Sequence, residues 1–301
     1  MTGTPVTQGP LDIYSQFEFL DKKILGFANF FAFRATFAVM KPVPVRGRTI
    51  QIVDKYINLD QLKNKIEPYS YRVLKKDCLD LPEKIYTKIY HGLSDEQESL
   101  YRQMADDFIA SVGEQQVITA QIALTKLLRL RQIIGGFVPV DELGVKPIEP
   151  NNRLKTLTDL LEDIQGSTII WAVFKAEIAA IKNVLGSAAV TYYGETSTEA
   201  RAEAVKAFQE GRARYFIGNP RAAGLGLTLT RASNVIYYSN DYSLEIRQQS
   251  EDRAHRIGQR NVVTYFDLIA EGTLDEKIID ALRSKRDIAS TITGDELKAW
   301  L

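Results

Sequence analysis

From about Asn152 onward, short apolar runs alternate with amphipathic stretches, and this alternation predicts a parallel sheet covered on both faces. Five runs read as strands: Ser167–Val173, Ala188–Tyr193, Ala213–Gly218, Asn234–Tyr238 and Val262–Leu268, each short and rich in β-branched or aromatic residues. Between them, Asn152–Gln165, Lys175–Leu185, Thr198–Glu210, Leu244–His255 and Leu274–Ser284 carry apolar positions at helical spacing, with Thr198 the expected N-cap of its helix. The pattern describes a doubly wound α/β domain over residues 151–285, followed by a tail over residues 286–301.

The first half has a different texture. Pro10–Leu20, Gln61–Lys65, Ser94–Gly113 and Val117–Ile134 show helical spacing, and the Pro/Gly-rich stretch from Lys41 to Arg48 reads as a loop. Residues 21–150 therefore read as a mostly helical protrusion and linker. Phe27, Phe30, Phe31, Phe33 and Phe37 crowd one short span, which fits a packed helical core better than a base-stacking platform. The segment Gly144–Asn152, with Pro147 and Pro150, is the best linker candidate.

Composition narrows the function classes. A chain of 301 residues that is 45% hydrophobic buries one large core or two modest ones. Cys78 is the single cysteine, and with two histidines it makes neither a disulfide framework nor an ordinary zinc site. Basic and acidic residues balance at 38 each, so any nucleic-acid surface must be a local patch. MTGTPVTQGP lacks the features of a signal peptide and no window is long and apolar enough to span a membrane, which leads us to expect an intracellular protein with no membrane association.

The densest chemistry lies in QSEDRAHRIGQ, Gln249 to Gln259, where Arg253 and Arg256 stand three residues apart on a predicted helix and should share one face. Two guanidiniums projecting together, braced by Gln249 and Gln259 and closed by Gly258, suit a polyphosphate, although a solvated basic helix end has the same composition. Upstream, in GNPRAAGLGLTLT, Gly224 and Gly226 let backbone amides approach an anion closely. The chain contains neither GxxxxGK[ST] nor an Asp-Glu-Ala/Gly-His box, so it lacks a phosphate-cradling loop with its magnesium carboxylates.

QSEDRAHRIGQ resembles the sixth helicase motif of the Swi/Snf family of superfamily 2 ATPases. MTGTPV resembles the third motif, Ile169–Phe174 the fourth and Gly218–Thr230 the fifth, while Tyr71–Lys84, Leu127–Gly136 and Tyr193–Arg201 are similar to intervening family segments. The likeness has departures: no His-Pro pair follows Gly136, Pro220 and Ala223 stand where relatives carry threonine and glycine, Thr228 replaces an asparagine, and Asp241-Tyr242-Ser243-Leu244 replaces Asp-Trp-Asn-Pro. These mark a divergent member of bacterial or viral type.

The resemblance implies a RecA-like second lobe in residues 151–285, with residues 1–20 closing a first lobe. It implies arginine fingers at Arg253 and Arg256, ATP-lining positions at Gly224, Gly226 and Gln249, and DNA-backbone contacts at Lys175, Thr196 and Arg221. Thr2, Gly3 and Thr4 would link the ATP state to DNA contact. ATP and Mg²⁺ would be held mainly by the N-terminal RecA-like lobe, in the same or a separate chain, and duplex DNA would be the other partner. The whole would be an ATP-dependent double-stranded DNA translocase, with this chain inactive alone. A strand-separating RNA or DNA helicase of the same superfamily, and a non-hydrolysing DNA- or protein-binding module, are the alternatives.

Overall fold

The computed structural model describes residues 5–45, 48–71, 78–113, 120–140, 144–223 and 226–293. Helices α1 (Asp12–Leu20), α2 (Lys22–Leu25) and α3 (Phe30–Phe37) lead into strands β1 (Ala38–Val45) and β2 (Arg48–Tyr56), then α4 (Leu59–Ile66). Strand β3 (Lys84–His91), helices α5 (Asp95–Gly113) and α6 (Ala120–Ile134), and the short strands β4 (Phe137–Val140) and β5 (Gly144–Pro147) follow. The second half runs α7 (Asn152–Asp163), β6 (Ser167–Trp171), α8 (Lys175–Leu185), β7 (Ala189–Tyr192), α9 (Thr198–Glu210), β8 (Tyr215–Gly218) and β9 (Ala232–Tyr237). It closes with α10 (Leu244–Ala254), β10 (Val263–Ala270) and α11 (Leu274–Thr293).

Six strands form one parallel sheet in the order β3-β10-β9-β6-β8-β7. Strict alternation along them sends successive side chains to opposite faces. On one face Ile170, Tyr215, Ile217, Ile236, Phe266 and Leu268 pack with Leu157 and Leu161 of α7 and Ile178 and Ile181 of α8. On the other, Ile169, Trp171, Phe216, Val235, Tyr237 and Tyr265 pack with Phe208 of α9 and Ala254 of α10. Each large apolar side chain so buried contributes roughly 1.5–3 kcal/mol. The N-cap of α9 is Ser197, not Thr198: its hydroxyl accepts from the Ala200 amide at 3.2 Å, and Thr198 is already helical.

Edge strand β3 comes from the stretch read as linker. In its sequence KIYTKIYH, Ile85 and Tyr90 are exposed and most of the rest is half-buried, because an edge strand packs one neighbour only. Tyr86 stacks on Tyr265 at 5.0 Å between ring centroids. Of the predicted loop at 41–48, the described residues 41–45 and 48 instead lie in paired strands, β1 running antiparallel to β2, and residues 46–47 lie outside the described residues. Pro42 and Pro44 are tolerated because, two residues apart in a two-stranded ribbon, both take positions whose missing N–H faces away from the partner. The linker candidate is also partly ordered as strand, β5 pairing with β4.

Around the hairpin, Phe33 and Phe37 are fully buried with Ile13, Phe17, Leu25, Leu62 and Ile66. Phe31 is exposed, and the Arg34 guanidinium lies 5.2 Å from its ring centroid. Helix α11 extends to Thr293, beyond the expected start of a tail, and packs Ile288 and Ala289 against this helical core. Among the described residues no helix is long and apolar enough to cross a membrane.

Candidate nucleotide and nucleic-acid site

α10 starts where Ser243 accepts the Ile246 amide at 3.4 Å and ends at Ala254. His255 leaves helical geometry, with φ −100° and ψ 81°, so Arg256 lies beyond the helix and the two arginines do not share a helical face. They converge by another route: Arg253 Nη1 donates to the Leu227 carbonyl at 3.4 Å and Arg256 Nη1 donates to the same oxygen at 3.0 Å. Burial, then repulsion from Arg256, lowers the Arg253 pKa. An anion placed between the guanidiniums would relieve that repulsion.

Gln249 braces Arg253 through its backbone, its carbonyl accepting from Arg253 Nε at 3.0 Å, while its side-chain amide donates to Glu245. Gln259 instead ties down the turn, donating to the Ala232 and Ala254 carbonyls at 2.9 and 3.0 Å. Gly258 closes that turn at φ +97°. Gly226 takes φ +78° in open space, so its backbone conformation rather than crowding favours glycine. Gly224, Thr2, Gly3 and Thr4 lie outside the described residues.

Lys175, Thr196 and Arg221 follow the C-terminal ends of β6, β7 and β8, the edge where open α/β sheets bind ligands. The arginine pair lies at the opposite edge, because α10 returns toward the strands' N-terminal ends. There His255 Nε2 is 2.7 Å from the Pro82 carbonyl, just ahead of β3, and Gln259 reaches Ala232 at the start of β9. Lys175 pairs with Glu195, both exposed, which brings the start of α8 beside the loop carrying Thr196. The Thr196 hydroxyl accepts from the Tyr193 amide at 3.2 Å, and Arg201 pins the same loop by donating to the Tyr193 and Gly194 carbonyls. Arg221 is engaged in a bidentate pair with Asp241, at 2.8 and 3.0 Å.

Sequence reading missed a buried charged network behind α10. Arg247 donates to Asp267, to Asn240 at 2.7 Å and to Glu251 at 3.0 Å, and its guanidinium lies 3.5 Å from the Tyr237 ring centroid. The i, i+4 spacing of Arg247 and Glu251 was a visible signal; Asp267, on another strand, was not. The described residues contain no acidic or histidine group suited to a metal ion. Polyphosphate fits the arginine pair; magnesium has no ligand set there.

A parallel sheet wound on both faces, with a glycine-bearing loop closed by a two-arginine helix end, defines the RecA-like lobe of a helicase-type ATPase. Residues 152–258 match the helicase conserved C-terminal domain and residues 1–135 the SNF2-related domain. YwqA of Bacillus subtilis, named an ATP-dependent helicase/translocase, is 28% identical over 98% of this chain and 32% of its own length. MOT1 of Saccharomyces cerevisiae, a TATA-binding protein-associated factor, is 27% identical over 98% of this chain and 19% of its own. The Sulfolobus solfataricus SWI2/SNF2 ATPase core in complex with dsDNA superposes with TM-score 0.57 and 26% identity, covering 94% of this chain and 60% of that one. The chain belongs to the Swi/Snf family of superfamily 2 helicase-like ATPases. It spans about a third or less of the curated relatives just named.

Proposed function

We propose that this chain supplies the arginine-finger face and part of the DNA groove of an ATP-dependent double-stranded DNA translocase. The observation that carries the reading is the meeting of Arg253 and Arg256 at the Leu227 carbonyl, where the fifth-motif loop touches the end of α10. Phosphoryl transfer needs charge placed on the γ-phosphate oxygens more than it needs a proton donor, and two guanidiniums at one point supply it. ATP would lie between this lobe and a first RecA-like lobe that holds the phosphates and Mg²⁺, with Gly226 and Gln249 lining the near side. The sequence has no phosphate-cradling loop with which to hold them itself.

At the other edge, Lys175 and Thr196 would contact DNA phosphates, which position a duplex without reading its sequence. Arg221 would join them only by exchanging Asp241 for a phosphate. Separation of the two sites across the sheet suits a motor, since nucleotide and DNA must act on one rigid body without competing for one surface. The S. solfataricus core was solved with dsDNA, which favours duplex over single strands as the track.

The test uses this chain joined to a first lobe carrying a P-loop. Arg253→Ala should lower kcat for DNA-stimulated ATP hydrolysis by roughly 10³-fold while DNA affinity stays nearly constant. The chain alone should hydrolyse no ATP. Collapse of DNA affinity with kcat intact at saturating DNA would make the arginines a nucleic-acid clamp.

A further inference from the structure

The buried residues of α10 are Leu244, Arg247, Ser250, Glu251 and Ala254, so polar groups make up most of its inner face. Apolar packing is non-directional and leaves a helix some freedom to rotate, whereas hydrogen-bonded charges fix its orientation. Glu251, two residues before Arg253, is 2% exposed and is gripped from two sides. One carboxylate oxygen accepts from Lys84 Nζ at 2.9 Å and Tyr86 Oη at 2.8 Å, both on β3; the other accepts from Arg247 Nε at 3.0 Å. The Tyr265 hydroxyl donates to the Glu251 carbonyl at 3.2 Å. Past the helix end, His255 meets the Pro82 carbonyl, two residues ahead of Lys84. The segment Pro82–Tyr86 therefore holds the chain on both sides of Arg253, at Glu251 within α10 and at His255 just past its end.

Burying so many charges is costly, and a well-packed apolar replacement is often no less stable, so stability alone is a poor reason for the network. Orientation is a better one. We propose that Glu251 is a positioning residue for the arginine pair, and that Pro82–Tyr86 sets the pair's aim through it. This rests on the arginine-finger reading above.

Two measurements separate the inference from that reading. In this chain alone, Arg253 Nε–H donates to the Gln249 carbonyl, so its proton exchanges slowly and is visible by nitrogen-15 NMR. Glu251→Gln, and separately the milder Lys84→Met, should speed that exchange about tenfold or more while amides of β6 and β8 keep their protection. In the complete motor, Glu251→Gln should lower kcat about tenfold with KM for ATP and DNA affinity unchanged within about twofold. In an Arg253→Ala background it should lower kcat no further, since one residue acts through the other. An unmoved Nε–H, or losses that multiply in the double variant, overturns the proposal. Full kcat in Arg253→Ala alone would overturn the finger reading, while a faster Nε–H exchange in Glu251→Gln would still uphold the positioning.

Discussion

His91 offers the sharpest test of the buried polar structure. At the end of β3 its Nε2 accepts from Arg153 Nε at 3.3 Å and its Nδ1 faces the Gly92 carbonyl at 3.2 Å, which fixes the Nδ1–H tautomer of a neutral ring. Arg153 is 1% exposed and paired with Asp275. Burial first, and the Arg153 charge second, push the His91 pKa down to about 4 from 6.5. Between these values the unfolded chain binds a proton that the folded chain refuses, so stability is full above pH 6.5 and is lost as pH falls toward 4. At about 1.4 kcal/mol per pH unit the loss reaches about 3 kcal/mol, a large part of a typical folding margin of about 5–15 kcal/mol. His91→Gln keeps an acceptor for Arg153 and a donor for Gly92 but cannot titrate. The assay is urea unfolding at a series of pH values from 7 to 4, followed by the fluorescence of buried Trp171 in a Trp300→Phe background. The stability advantage of the parent over His91→Gln should shrink by about 3 kcal/mol across that range. Glu177, whose carboxyl is raised by burial, works in the opposite sense, but both proteins carry it and it cancels in the difference. Parallel stability curves for the two proteins would refute the reasoning.

Three further outcomes follow from the geometry. Arg253→Lys in the complete motor should recover less than about a tenth of the kcat lost in Arg253→Ala, because an ammonium keeps the charge but not the planar fork; recovery beyond half would make charge alone sufficient. Gly136 sits at φ +86°, and a Cβ there would lie 2.0 Å from Asn151 Nδ2, so Gly136→Ala should cost roughly 2 kcal/mol by strain and by displacing the cap of α7, measured by urea melts. Lys175→Ala should reduce the slope of log K against log salt for duplex binding by about one, since its pair with Glu195 is exposed on both sides and exchanges readily for a phosphate. Arg221 is held bidentate by the buried Asp241, so Arg221→Ala should change that slope by less than half as much in fluorescence anisotropy.

The strands at the centre of the sheet were legible because burial on both faces forces continuous apolar runs such as Ser167–Trp171 and Tyr215–Gly218. β3 was not, since an edge strand with Lys84 and Lys88 reads like a polar linker until its neighbour is known. The hairpin was hidden by Pro42 and Pro44, residues that signal a loop unless both happen to face away from the partner strand. At the candidate site, the sequence motif placed Arg253 and Arg256 together correctly for a partly wrong reason. The helix ends between them, and a shared carbonyl, not a shared helical face, unites them.

What the motif could not carry is the part of the site set at long range. Arg221 reads as a free cation until Asp241, 20 residues on, closes over it, and Glu251 reads as a surface partner of Arg247 until Lys84, 167 residues back, reaches its other oxygen. Short motifs specify groups that act on a ligand, since spacing of a few residues fixes their relative placement on one element. Groups that aim those residues act across elements, and their chemistry is ordinary: a lysine, a tyrosine, a proline carbonyl. In this chain the aiming groups sit on the strand that leads from the helical half into the sheet. A lost Lys84–Glu251 pair would therefore reach Arg253 directly through Glu251, while the pairing of that strand with β10 and the packing of Tyr86 against the sheet core hold the rest of it in place.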